Sequence, residues 1–239
     1  MAALQLVGVC KAFGSVVVAD EFTLEVASGE VVGIIGPNGA GKTSTLNLIS
    51  GTLRPDRGRI VLEGTDITTL PAHLRARAGL GRTLQIPRPF RDLTVFENVL
   101  VGATFASPDG SNRKERSIAA LRRVGLWDRA NDLAGAMTFL DRKRLELARA
   151  LAAVPRVLLL DEIASGLTEP EVQVITATIR ELRTEGLAII WIEHIVHALV
   201  SVVDRLVATS AGRIIAVGDP RTVMQDPQVR SIYLGESAL

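Results

Sequence analysis

With 239 residues, the chain can bury a substantial core, either as one domain or as a core with an inserted subdomain. Its 27 basic and 26 acidic residues nearly cancel, leaving a formal net charge of +1. That excludes the basic footprint of duplex-DNA binding, and no nucleic-acid partner is expected. The single cysteine, Cys10, excludes an internal disulfide and fits a reducing compartment.

The opening MAALQLVGVCKAFG has no basic segment followed by a long apolar run, so no signal peptide is expected. Leu4 to Val9 and Phe22 to Val26 alternate apolar and polar residues, the pattern of half-buried antiparallel strands. After Gly29, VVGIIG is a continuous apolar run, suited to a strand covered on both faces. PNGAGKTSTLNLIS then begins as a glycine-rich turn and continues as a helix with Leu46 and Ile49 on one face. From about Gln85 to Ala153 the β pattern gives way to helical spacing, interrupted by a polar loop at Ser107 to Glu115. The apolar runs Val157 to Leu160 and Leu187 to Ile192 each precede a helical pattern, which predicts a mainly parallel sheet. Leu187 to Val203 is apolar enough to suggest a membrane span, but Glu193, His194 and His197 interrupt it. A span needs roughly 20 apolar residues without such charges, so a buried strand running into a helix is expected.

These elements predict an α/β fold with an antiparallel β edge. Residues 1–84 and 154–239 form the core, and residues 85–153 form an inserted helical subdomain with a degenerate loop.

The chemistry is concentrated in two motifs. Gly36-Pro37-Asn38-Gly39-Ala40-Gly41-Lys42-Thr43, followed by Ser44, matches a phosphate-binding loop between a strand and a helix. Its glycines let successive backbone N–H groups face phosphate oxygens. Lys42 is placed to reach the β- and γ-phosphates and the Thr43 hydroxyl to bind magnesium. Downstream, Val157-Leu-Leu-Leu-Asp161-Glu162 is an apolar strand ending in two carboxylates. In phosphoryl transfer, an acid there holds magnesium and a second group orients the attacking water. Asp161 is assigned to the metal and Glu162 to the water. Acids also follow buried strands as helix caps, and the phosphate loop upstream is what favours the chemical role.

With both motifs in place, nearly the whole chain resembles the ATP-binding cassette ATPases, whose core is a RecA-like P-loop NTPase. The resemblance implies that Phe13, in KAFG, stacks on adenine, and that Gln85, in RTLQ, senses magnesium and couples to a membrane partner. It also implies that Ser165-Gly-Leu-Thr168 crosses a dimer interface and that His194, in WIEHIVHAL, contacts the γ-phosphate. The catalytic set is then Glu162, His194 and Gln85, the metal set Thr43, Gln85 and Asp161, and the cofactors ATP and Mg2+. The implied partners are transmembrane permease subunits, a second cassette and, indirectly, a periplasmic or extracellular binding protein. The implied location is peripheral, at the cytoplasmic face of the cell membrane.

Gly81-Arg-Thr-Leu-Gln-Ile-Pro-Arg-Pro-Phe90 and Leu93-Thr-Val-Phe-Glu-Asn98-Val resemble cassettes of branched-chain amino acid importers. So does the tail, Asp226-Pro-Gln-Val-Arg-Ser-Ile-Tyr-Leu-Gly-Glu236, although lipopolysaccharide-export cassettes have similar tails. The implied function is ATP hydrolysis coupled to import of branched-chain amino acids or related small amides. The alternatives are an ATP-binding regulatory half of a heterodimer and a lipopolysaccharide-export cassette. Soluble cassettes of DNA repair or translation normally carry a coiled-coil insertion or tandem cassettes, and neither is visible.

One element departs from the family. Its signature loop, usually Leu-Ser-Gly-Gly-Gln, reads Met137-Thr138-Phe139-Leu140-Asp141 here. Thr138 keeps a hydroxyl and both glycines are lost. Leu140 is expected to block the cap over the opposing nucleotide and Asp141 to set negative charge beside phosphate, which implies a heterodimer with an intact partner. Ile163, where the family commonly has proline, is a smaller departure.

Overall fold

Alternation in the first residues builds two long strands, β1 (Ala2–Phe13) and β2 (Val16–Ala27), both longer than their alternating centres. The structure, a computed structural model, describes residues 2–106 and 111–234. Positions 107–110 of the expected polar loop and 235–236 of the tail lie outside the described residues. The apolar run after Gly29 becomes β3 (Val31–Ile35), and the glycine turn leads into α1 (Lys42–Ser50). Then follow β4 (Arg57–Leu62), β5 (Thr65–Asp66), α2 (Ala72–Arg77) and β6 (Leu80–Arg82). β1 lies between β2 and β4 in an antiparallel sheet ordered β2-β1-β4-β5.

Helical spacing after β6 yields α3 (Val95–Ala106), α4 (Arg113–Arg123) and α5 (Phe139–Leu151). The chain then alternates again through β7 (Val157–Asp161), α6 (Glu169–Thr184), β8 (Ala188–Ile192), α7 (Val196–Val200) and β9 (Arg205–Ser210). It closes with β10 (Arg213–Gly218), α8 (Pro220–Gln225) and α9 (Pro227–Leu234). The second sheet is ordered β10-β9-β3-β8-β7-β6, parallel except for β10. Leu187 to Val203 is therefore β8 and α7, and among the described residues no helix is long and apolar enough to cross a membrane.

Every residue of β3, β7 and β8 is buried, and their alternation serves two cores. Val31, Ile35, Leu158, Leu160, Ile189 and Trp191 face a cluster containing residues of α3–α6. Val32, Ile34, Val157, Leu159, Ile190 and Ile192 face a cluster built with α1 and the antiparallel sheet. The strand ends that carry chemistry are thus clamped from both sides. In the tail, Asp226 accepts from the N–H groups of Gln228 and Val229, capping α9 so that Val229 is fully buried.

Arg75, fully buried, holds the rear of α1. It donates to the carbonyls of Leu48 (2.7 Å) and Ile49 (2.8 Å) in the last turn of α1, and to those of Leu70 (2.9 Å) and Thr68 (2.8 Å). A cation at a helix C-terminus also complements the helix dipole. Arg75→Leu strands these buried carbonyls and should cost at least about 2 kcal/mol, read from chemical denaturation.

Candidate phosphate cleft and strand-end carboxylates

The phosphate loop is shaped by steric demands at its glycines. A Cβ on Gly36 would lie 2.4 Å from the Thr209 carbonyl oxygen, and one on Gly41 would lie 2.1 Å from the Val18 carbonyl oxygen. Gly41 and Gly39 also have φ of 93° and 83°, which side-chain-bearing residues rarely adopt. Lys42 Nζ folds back to the carbonyls of Gly36 (2.7 Å) and Pro37 (3.0 Å). Burial pushes its pKa down, while Glu162 and Asp161 pull it up. A cleft of about 300 Å³ brings together Asn38, Gly39, Ala40, Gly41, Lys42, Thr43 and Ser44 with Glu162 and His194. Val16 and Val18 of β2 complete one wall, a contribution with no motif to announce it. Phe13, at the end of β1, is 53% exposed with Lys11 Nζ 5.4 Å from its ring centroid, so it is not a buried strand-end residue.

At the end of β7, Asp161 is buried and its pKa is raised by desolvation, opposed by Arg82. Arg82 donates to Asp161 Oδ2 (3.2 Å), Asn47 Oδ1 (2.7 Å) and Ser50 Oγ (2.9 Å), tying β7 to α1. Asp161 Oδ1 is buried with no donor. Among the described residues no three His, Cys, Asp or Glu side chains are arranged to hold a metal ion by themselves. One carboxylate with a free oxygen and a threonine hydroxyl fits magnesium, which keeps waters and phosphate oxygens as its other ligands. Gln85, expected at the metal, donates to Glu162 Oε2 at 2.5 Å and so lies at the same strand end.

Glu162 is the junction of the site. Its Oε1 meets His194 Nε2 at 2.8 Å, and its N–H donates to the Ile192 carbonyl at 2.9 Å. Its own carbonyl accepts from Lys143 Nζ at 3.0 Å, and that ammonium also donates to the Gln85 carbonyl at 2.8 Å. The φ of Glu162 is +48°, a strained value of the kind that clusters at functional sites.

The loop before α5 corrects two expectations. Asp141 does not present charge to a ligand. It is mostly buried, completes a cap with Thr138, and is paired by Arg129 (2.5 Å) and Arg144 (3.5 Å). Leu140 turns inward against the helical core, so it is not the obstruction either. Phe139 is the outward residue, 46% exposed, with Lys143 Nζ 5.4 Å from its ring. Its ring lies where a Cβ on Gly166 would come within 3.1 Å. The pattern Thr138-x-x-Asp141 is itself a capping signal from which this arrangement could have been read.

Arg82, Lys143 and Glu193 are absent from the sequence-derived site. Glu193 is fully buried, and its pKa is pushed up to about 7, chiefly by burial and secondarily by Glu162. The Ala164 N–H, the Trp191 indole N–H and Lys143 pull it back. Since 7 exceeds the ordinary value of 4.5, the folded state binds this proton more tightly than the unfolded one. Stability from this group is greatest below about pH 4.5 and falls as pH rises to about 7. Glu193→Gln should therefore raise stability above pH 7 by up to about 3 kcal/mol, for a gap of roughly 2.5 pKa units, and raise Tm with it. The gain should vanish at acid pH, as thermal melts across the range would record.

Comparison with known proteins gives the family. The ABC transporter family profile matches residues 19–165. A profile for branched-chain amino acid ATP-binding cassette transporters matches residues 213–238. The lipopolysaccharide export system ATP-binding protein LptB of Acidithiobacillus ferridurans is 38% identical, covering 98% of this chain and 97% of that protein. The high-affinity branched-chain amino acid transport ATP-binding protein BraF of Pseudomonas aeruginosa is 36% identical, covering 98% of each. A nucleotide-free ATP-binding cassette from an ABC transporter superposes with a TM-score of 0.91 at 30% identity, over 99% of this chain and 100% of that one. Another such cassette, in its ADP conformation, superposes with a TM-score of 0.90 at 31% identity, over 99% and 100%. With its phosphate loop, its strand-end carboxylates and these matches along nearly its full length, the chain belongs to the ATP-binding cassette family of transporter ATPases.

Proposed function

We propose that this ATPase energises import of branched-chain amino acids or related small amides, acting at the cytoplasmic face of the membrane on separate transmembrane permeases. The observation that carries the reading is the branched-chain profile over residues 213–238. The similarity to BraF supports it, while the LptB similarity is of the same size and keeps lipopolysaccharide export as the second reading. In this reading Lys42 and the loop N–H groups bind the β- and γ-phosphates, and Phe13 stacks on adenine. Thr43 and Asp161 hold magnesium, which when bound neutralises charge on the transferring phosphoryl group. Glu162 orients the attacking water. His194, already on Glu162 Oε1, adds a donor beside the γ-phosphate. Nucleotide entry would have to draw Gln85 off Glu162 Oε2, freeing that oxygen for the water and releasing a residue that can signal to the permeases. Deleting the gene in its host should abolish uptake of labelled leucine, isoleucine and valine and leave lipopolysaccharide transport intact. The opposite pair of results would replace this reading with the export one.

The second part of the proposal is a heterodimer with a cassette whose signature is intact. Its support is the exposed ring of Phe139 at the N-terminus of α5, where backbone N–H groups would otherwise face the opposing nucleotide. The purified chain alone should then be a poor ATPase. Phe139→Gly should raise that rate, while Leu140→Gly should chiefly loosen the helical core. Rapid turnover by the unmodified chain, rising with the square of its concentration, would reject the asymmetric dimer.

A further inference from the structure

Two adjacent residues beyond β8 do opposite things. His194 is exposed toward the cleft and meets Glu162, whereas Glu193 is completely buried behind it. Glu193 Oε1 accepts from the Ala164 N–H at 2.6 Å and from the Trp191 indole N–H at 3.2 Å. Its Oε2 is buried with no donor. Ala164 is two residues past Glu162 and immediately before Ser165-Gly-Leu-Thr168. The segments after β7 and β8 are therefore tied twice. One tie is the Glu162 N–H on the Ile192 carbonyl, and the other is the Ala164 N–H on Glu193. The contact of His194 with Glu162 spans the same two segments.

A carboxyl group is a costly acceptor at such a place. Satisfying one amide and one indole needs a single neutral oxygen, while a buried carboxylate carries a large desolvation penalty. The groups that face it are Lys143 from α5, Glu162 at the end of β7, and Trp191 on β8. Strong burial beside the reacting carboxylate is the environment in which groups tuned for function are found.

We propose that Glu193 is a positioning residue for ATP hydrolysis. By holding Ala164 and Trp191 on one oxygen, it makes the position of loop 165–168 set the position of His194 against Glu162. The inference rests on the proposed roles of Glu162 and His194. A shift of the loop would pull the Ala164 amide and, through Glu193, the peptide that carries His194. Losing this register misplaces the histidine and the carboxylate without touching the phosphate loop.

The test compares Glu193→Leu, which keeps volume and removes the acceptor, with Glu193→Gln, which keeps an acceptor oxygen; Glu193→Ala stands in should leucine prevent folding. In the complex that hydrolyses ATP, Glu193→Leu should lower kcat by about 10²-fold with KM and nucleotide affinity unchanged, as small misplacements do. Glu193→Gln should restore most of the rate. In the purified chain, hydrogen exchange at the Ala164 amide should accelerate in Glu193→Leu. The ring resonances of His194, one of three histidines, should move. A folded Glu193→Leu or Glu193→Ala protein with unchanged kcat, or with unmoved His194 resonances, would overturn the proposal. Glu162→Gln is the control. Full turnover in that variant would refute the assignment of Glu162, whereas the exchange and resonance readouts judge the Glu193 linkage alone.

Discussion

The site depends on one residue's having every polar group engaged. Glu162 offers two carboxylate oxygens, an N–H and a carbonyl, and each is tied to a different residue: Gln85, His194, Ile192 and Lys143. Those partners come from the segment after β6, from β8 and the turn after it, and from α5. The carboxylate proposed to orient water is thus the point at which the helical region and the parallel sheet are mechanically joined. Both cores press on the strand that carries it, since alternate residues of β7 belong to one cluster or the other. A displacement in any of the three segments is therefore felt at the carboxylate. Packed interiors pass on such shifts instead of absorbing them.

Arg82 performs the matching task for Asp161. It fixes one carboxylate oxygen and simultaneously grips Asn47 and Ser50 on the helix that follows the phosphate loop. The carboxylate with a free oxygen, proposed to hold a metal, and the helix that follows the phosphate loop are held in one register by a planar fork, a task for which lysine lacks the geometry. Arg75 grips the same last turn through the carbonyls of Leu48 and Ile49, so the C-terminal end of α1 is held by two arginines.

The parts of the site readable in the sequence were those whose chemistry is local. The glycine loop announces itself because consecutive residues must all face one ligand, and the Asp161-Glu162 pair because an apolar strand ends there. Strand and helix periodicities likewise gave the mainly parallel sheet and the antiparallel edge, though β1 and β2 run well past their alternating centres. What escaped depends on contacts between distant segments. Arg82 acts on residues 32 to 79 positions away, and Lys143 reaches 58 positions to Gln85. Glu193 read only as a charge interrupting an apolar run. The loop at 137–141 was misread for a different reason: counting lost glycines says nothing of direction. Helix geometry turned Leu140 inward, locked Asp141 in a cap, and left Phe139 facing out.

The left-handed backbone at Glu162 has a consequence for how this protein can change. Glycine would relax that conformation, worth about 1 kcal/mol, and would also delete the junction. On the proposed role of Glu162, the position is one where greater thermal robustness and catalytic competence pull in opposite directions. On that role, selection or engineering for a hardier cassette, scored on folding alone, would drift toward a nucleotide binder that no longer turns over. Screens on this scaffold have to weigh turnover from the first round, because a melting curve would reward the loss.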